Sequence, residues 1–415
     1  MQPLKIDTLL AQQCEKGYFE GTHRVVCPQM TWERMSPHLK DMGITRLANV
    51  TGLDRIGIPV YMCCRPNSRS LAVSQGKGFD SISAKVSALM ESVETWHAEY
   101  NLCDLRIESF AQLKREGAVC DPDGLPQCKG SLFSTSRPIP WVQGTDLLND
   151  EPVWVPYELV HANATIPAIP GGGCFVPSTN GLASGNGCLE AILHGIYEVV
   201  ERDALTLWEL ASQDRWTGRR LDCASIDDTG CRELMLRYAK AGVSVMAWDI
   251  TSDVGLPVFV VIISDNESTA SLRPMPAAFG SGCHSDRKIA LSRALTEAAQ
   301  SRLTSIAGSR DDLTRTSYQT TQSEAAIQYH QELAAQRVAG WDFHKTPTFL
   351  SSSLTVDLRH VLEQLRRTGV ERVVAIDLSR PHIPAGVVRI VVSGLEGPTE
   401  SPWFRPGKRL QGRLP

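Results

Sequence analysis

The feature that most limits what this chain can fold into is a repeated one: a glycine-containing segment leads into an amphipathic helix with apolar residues on one side and glutamates on the other. In the first copy, Val86, Leu89, Met90, Val93 and Trp96 fall at helical spacing between Ser83 and about Tyr100, after Gly76-Lys77-Gly78. Ser87, Glu91 and Glu94 stand at i, i+4 and i+7, within about 60° of one another on the opposite side. In the second, from about Cys188 to Trp208, the stripe is Ile192, Leu193, Ile196, Val199 and Val200. Asn186, Glu190, Glu198 and Glu201 gather within about 120° of the opposite face. Neither helix can bury its stripe without pointing its carboxylates at something else.

Like charges at these spacings cost a helix a few tenths of a kcal/mol each unless they are neutralised. A solvated acidic face would interleave lysines, and neither cluster does. The alternative is a cage for a divalent metal, and magnesium in particular bridges carboxylates to phosphate. A third helix, about Asp286 to Ala307, supplies complementary chemistry, with Arg293, Glu297 and Gln300 on one face. An arginine fork clamps phosphate and Gln300 suits a base or ribose, although the same spacing also describes a routine ion pair. Lys77 lies between two glycines as in a phosphate loop, but no upstream glycine completes a Walker pattern, so its role is limited to touching phosphate. Gly280-Ser281-Gly282-Cys283-His284-Ser285 lacks the third glycine of a dinucleotide fingerprint. Neither Gly-x-Ser-x-Gly nor His-Glu-x-x-His occurs.

Composition narrows the classes further. Over 415 residues, 42% hydrophobic and 21% charged side chains describe a packed protein rather than a disordered one. The formal charge of −4 gives no reason to expect nucleic acid or an anionic membrane as a partner. The longest apolar runs, such as Leu256 to Ile263, are far short of the roughly 20 residues that span a bilayer. Without a secretory segment at Met1 to Glu20, the expected location is the cytoplasm. The 12 cysteines include no Cys-x-x-Cys and read as reduced thiols.

Along the chain, residues 1–55 read as a polar leading segment, 56–395 as the main domain and 396–415 as a tail. Gly57 to Cys63 and Ser70 to Ser74 read as a hairpin. Residues 103–138 and 309–346 read as insertions, and Pro167 to Gly185 as a loop over a pocket. Trp154 to Leu159, Ser244 to Ile250, Pro257 to Ile263, Val370 to Leu378 and Val387 to Ser393 read as strands, and Val356 to Thr368 as a helix.

Three ordered segments carry a resemblance. Ser87-Ala88-Leu89-Met90-Glu91-Ser92-Val93-Glu94, the series Asn186, Glu190, Glu198, Glu201-Arg202 after Asn180-Gly181-Leu182-Ala183-Ser184-Gly185, and Arg293-Ala294-Leu295-Thr296-Glu297-Ala298-Ala299-Gln300-Ser301-Arg302 closely resemble the ATP-binding motifs of the YcaO family. The resemblance covers roughly residues 55 to 395 and implies an α/β fold of the α+β type, with mixed sheets and helices around a non-P-loop ATP site. It implies that Ser87, Glu91, Asn186, Glu190 and an arginine of the third helix hold ATP, and that Glu94, Glu198 and Glu201 hold Mg2+. Arg293 is the preferred arginine because it shares a face with Glu297 and Gln300, with Arg302 as the other candidate. The family activates a peptide backbone amide by phosphorylating its oxygen. A Cys, Ser or Thr side chain then gives an azoline, and a sulfide equivalent gives a thioamide.

Two departures from the family pattern point to one branch. Thr95 stands where many members have arginine, in a run, Glu94-Thr95-Trp96-His97-Ala98-Glu99, that looks like the branch working with a TfuA-type partner. The tail, Gly412-Arg413-Leu414-Pro415, lacks the Pro-x-Pro-x-Pro end typical of azoline-forming cyclodehydratases. The expectation is a thioamide synthetase acting on a peptide with a TfuA-like protein and a sulfide donor. Azoline formation and a non-catalytic scaffold are the rival readings. No extra N-terminal domain for a leader peptide is seen, so another protein is expected to recognise the substrate. A homodimer is among the expected assemblies.

Overall fold

Each glutamate or arginine helix follows directly on a β-strand, and the three strands belong to three different sheets. The computed structural model describes residues 6–11, 14–168, 170–211, 217–266, 275–312, 315–336, 338–399 and 401–413; the last two residues of the expected tail, Leu414 and Pro415, lie outside them. Helices α1 (Ile6–Ala11) and α2 (Pro28–Met35) precede an antiparallel sheet of β1 (Arg46–Asn49), β2 (Val60–Cys64) and β3 (Val73–Lys77), which leads into α3 (Ser81–Glu99). Next come β4 (Leu105–Ser109), α4 (Phe110–Glu116), β5 (Ala118–Val119), β6 (Pro138–Asp146), β7 (Glu151–Pro156) and β8 (Leu182–Gly185), which leads into α5 (Cys188–Ala211). After α6 (Thr229–Lys240), a second three-stranded sheet forms from β9 (Val243–Asp249), β10 (Val258–Asp265) and β11 (Ala278–Cys283), and leads into α7 (Arg287–Ala307). Helices α8 (Arg315–Thr321), α9 (Glu324–Ala335) and α10 (Leu354–Arg367), strands β12 (Val373–Asp377) and β13 (Gly386–Val392), and the turn α11 (Lys408–Gln411) complete the chain. The largest sheet runs β5-β7-β6-β12-β13-β8, with β4 also on β6.

Glycine is what lets each helix lie against its own strand. A Cβ on Gly76 of β3 would sit 1.9 Å from the backbone nitrogen of Ala88 in α3, and one on Gly280 of β11 would sit 2.3 Å from Ala294 O and Ala298 N in α7. Only hydrogen fits at so close an approach. Asp80 and Asp286 cap α3 and α7 by accepting from the Ser83 and Lys288 amides. The apolar stripe of α5 packs into a core shared with α10, β10 and β13; Ile192 and Ile196 have no exposed surface, and each contributes about 1.5–3 kcal/mol by burial.

Several expected boundaries move. The second hairpin strand is Val73–Lys77 rather than Ser70 to Ser74, because Gln75, Gly76 and Lys77 pair with Met62, Tyr61 and Val60; Lys77 therefore projects from a strand, not from a loop. Segment 103–138, read as an excursion, contributes β4 and β5 to the largest sheet, and the loop read from Pro167 ends in the edge strand β8. The strand read as Trp154 to Leu159 is Glu151–Pro156, and Tyr157–Leu159 form a 3-10 turn. Strand β1 of the leading segment pairs with β2. The tail is docked: Leu410 is fully buried, Glu396 accepts from the Gly407 and Leu410 amides, and Arg409 pairs with Asp203 at 2.9 Å. Among the described residues no helix is long and apolar enough to cross a membrane.

Candidate active site

Helices α3, α5 and α7 meet with β3 along a cleft of about 840 Å³, the size of a nucleotide or cofactor pocket. It is lined by Lys77, Ser87, Glu91, Glu94, Asn186, Glu190, Glu198, Glu201, Arg293 and Gln300. Arg302 is the one candidate that the structure takes elsewhere. Nine positions after Arg293 is two and a half helical turns, so Arg302 projects from the other side of α7, where it is buried against Asp54 at 3.0 Å and Asp265 at 2.8 Å.

The three strand–helix units are tied in a ring. Glu94 of α3 accepts from Ser184 of β8, at 2.9 Å from the amide and 2.8 Å from Oγ. Glu201 of α5 accepts from Ser281 Oγ at 2.7 Å and the Cys283 amide at 3.0 Å, both on β11. Glu297 of α7 accepts from Lys77 Nζ of β3 at 2.7 Å, closing the ring. Each unit thus offers a carboxylate to the next. Glu190 takes the amide and side-chain NH2 of Asn186 and the amide of Val25, while Asn186 Oδ1 accepts from Thr31 Oγ1.

The electrostatics are those of a cleft short of positive charge. Burial pushes Glu91 up to about 7, against the pull of Lys77 and Arg310. Burial pushes Glu94 up to about 8, with the Ser184 hydroxyl opposing and Glu91 and Glu198 reinforcing. Burial, reinforced by Glu201 and opposed by Arg202, pushes Glu198 up to about 7. Glu297 goes the other way: burial would raise it, but Lys77, Arg202 and Arg293 hold it below the usual carboxylate range. Arg293 Nε and Gln300 Oε1 are buried without a hydrogen-bond partner among the described residues. Among the described residues no three of His, Cys, Asp and Glu are gathered closely enough to hold a metal alone. Magnesium needs no such cage, since it takes one or two carboxylates and completes its shell with phosphate oxygens and water.

Sequence reasoning missed Arg24. It enters the cleft from the leading segment, within electrostatic reach of Glu190, Arg293 and Glu94, and burial lowers its pKa. No periodic signal marks a loop residue of this kind. Glu297 and Arg202 also line the cleft; Glu297 was legible as part of the Arg293 face, but its partner is Lys77 rather than Arg293.

Comparison with known proteins gives the family. The family profile described as YcaO cyclodehydratase, ATP- and Mg2+-binding, matches residues 75–396. A protein of Rhizobium leguminosarum bv. trifolii, named for its position in the tfuA 3' region, is 39% identical over 95% of this chain and 93% of its own length. A Methanothermobacter thermautotrophicus protein is 35% identical over 94% of this chain and 99% of its own. Among solved structures, YcaO from Methanopyrus kandleri bound with AMPPCP and Mg2+ superposes with a TM-score of 0.72 at 24% identity, over 92% of this chain and 95% of that one. A heterocyclase in complex with substrate and cofactor gives 0.76 at 21% identity over 95% of this chain, which spans 55% of the heterocyclase. The chain belongs to the YcaO family, whose members are ATP-dependent enzymes of the cyclodehydratase type.

Proposed function

We propose that this protein uses ATP and Mg2+ to phosphorylate a peptide backbone amide on oxygen and then replaces the phosphate with sulfur, giving a thioamide, together with a TfuA-like partner and a sulfide donor. The observation that carries the ATP-dependent half is the one cleft that gathers Glu91, Glu94, Glu198 and Glu201 with Lys77, Arg202 and Arg293. Bound magnesium would neutralise the triphosphate and join it to the carboxylates. Glu94, Glu198 and Glu201 would offer it oxygen, and Ser184, Ser281 and the Cys283 amide would hold two of these side chains in place. Arg293, with its unpaired Nε, would clamp phosphate, and Lys77 would meet the same charge from β3. Ser87, Glu91, Asn186 and Glu190 would hold the nucleotide, and Gln300 would meet its base or ribose.

In the first step the amide oxygen takes the γ-phosphoryl group, ADP leaves and the amide N–H proton is released. In the second, HS− forms a C–S bond at the amide carbon, the C–O bond to phosphate breaks with its electron pair, and the sulfur proton passes to nitrogen.

The sulfur branch is supported by Thr95 and by the relative named for the tfuA 3' region. The family description favours azoline formation as the second reading. The unpaired cysteines among the described residues support a reducing compartment, the cytoplasm. The test is mass spectrometry of peptides co-expressed with this chain and its TfuA-like partner. Exchange of oxygen for sulfur supports the proposal, and loss of water supports the azoline reading.

A further inference from the structure

The edges of the largest sheet differ in how they are protected. Strand β5 has only two residues, and β8 is buried throughout. Longer, exposed edge strands usually carry lysine, proline or a bulge. Strand β4 has none of these. Its five residues, Leu105-Arg106-Ile107-Glu108-Ser109, pair only with β6 among the described residues, in five consecutive register positions. Ile107 and Ser109 stand opposite Pro140 and Pro138, which have no N–H, so the reciprocal hydrogen bonds to β6 fall at Arg106 and Glu108. The N–H and C=O groups of Leu105 and Ile107 therefore point to the open edge, and these two residues are 46% and 72% exposed.

The strand is complementary to itself. An antiparallel copy, turned about a two-fold axis through Ile107, sets Arg106 opposite Glu108 of the second copy, Glu108 opposite its Arg106, and Ile107 opposite its Ile107, where the two residues exchange N–H···O=C bonds. The Leu105 and Ile107 side chains of both copies then share one face and cover each other. On the other face Arg106 Nη1 meets Glu116 at 2.6 Å, but Nη2 is 3.9 Å from Glu108 Oε2, beyond hydrogen-bond distance, so both of those atoms have room for a second partner. We infer that β4 is a dimerisation edge, joined to β4 of a second copy of this chain so that the largest sheet runs on through both. No residue of β4 lines the cleft, so the seam leaves both clefts open, and the inference does not depend on the activity proposed above. So short a seam makes a dimer that forms with rising concentration.

Sedimentation velocity of the full-length protein over a concentration series tests this. The wild type should move from one chain mass to two as concentration rises. Ile107→Lys replaces an exposed side chain but sets two ammonium groups against each other at the axis; it should stay monomeric, with the circular dichroism of the wild type. Arg106→Glu and Glu108→Arg should each stay monomeric alone, because like charges then face one another across the seam. Mixed together they should associate, since each glutamate of one variant meets an arginine of the other, and the double variant R106E/E108R should dimerise like the wild type. This charge exchange decides the matter even if Ile107→Lys fails to fold. A wild type that stays monomeric would overturn the assignment and leave the edge to a different strand. Dimers that survive Ile107→Lys and both single charge reversals would overturn it by placing the seam elsewhere.

Discussion

Helix α7 carries two arginines into two buried polar regions with opposite character. Arg302 is enclosed with Asp54 and Asp265, and Arg55 adds a further cation to Asp265 at 2.8 Å. Arg293 faces the cleft, where burial pushes the neighbouring carboxyl groups of Glu91, Glu94 and Glu198 well above their usual range. Both regions remove charge from water, but only the first supplies the compensating charge from the chain itself. A region whose charges balance holds the fold together; one whose charges do not balance is built for something that arrives later.

That contrast can be broken by mutation. Arg302→Met leaves buried aspartates underpaired and should lower stability by about 3–5 kcal/mol in denaturant melts, while turnover per folded molecule stays near wild type; a large loss of turnover with intact stability would reverse the assignment. Arg293→Met should do the converse, lowering ATP turnover about 100-fold, or roughly 2.7 kcal/mol of transition-state stabilisation, with little change in melting temperature. The pH dependence follows from the raised pKa values. Below the ordinary histidine value of 6.5 the buried histidines, His23, His97, His161, His194, His284 and His360, work the other way because burial holds them neutral in the folded protein; between 6.5 and about 8 the raised carboxyl groups keep protons that the unfolded chain has lost, so stability falls as pH rises through that window. Melting temperatures should drop from about pH 6.5 to about pH 8 and flatten when AMPPCP and Mg2+ are present; a rise over that range would contradict the raised carboxyl values. Lys77→Met is the mildest change, since the Lys77 and Glu297 side chains are 20% and 21% exposed. It should cost about 1 kcal/mol or less in stability, read by urea titration.

The helices of the site were legible because their periodicity is strong. The carboxylate face of α3 and of α5 follows from spacing alone, and so does the placement of Arg293 on the cleft side of α7 and Arg302 on the other. The ring that joins the units was not legible, because Ser184 and Ser281 lie on short strands rich in small residues, and contacts such as Glu94 to Ser184 span 90 positions. Strand β8, Leu-Ala-Ser-Gly, shows no alternation to read, since all of it is buried. Strand β4 turns Leu105 and Ile107 to solvent, which reverses the usual reading of an alternating pattern. Arg24 was hidden for a different reason: it belongs to a loop, where position in space is set by distant partners such as Glu190.

The most direct test of the central claim is calorimetric titration of the protein with AMPPCP, with and without Mg2+, for the wild type and for the Glu94→Gln, Glu198→Gln double variant. The account predicts saturable binding that depends on Mg2+ in the wild type and is lost in the folded double variant. Nucleotide binding of equal strength without Mg2+, or unchanged by the two substitutions, would contradict it.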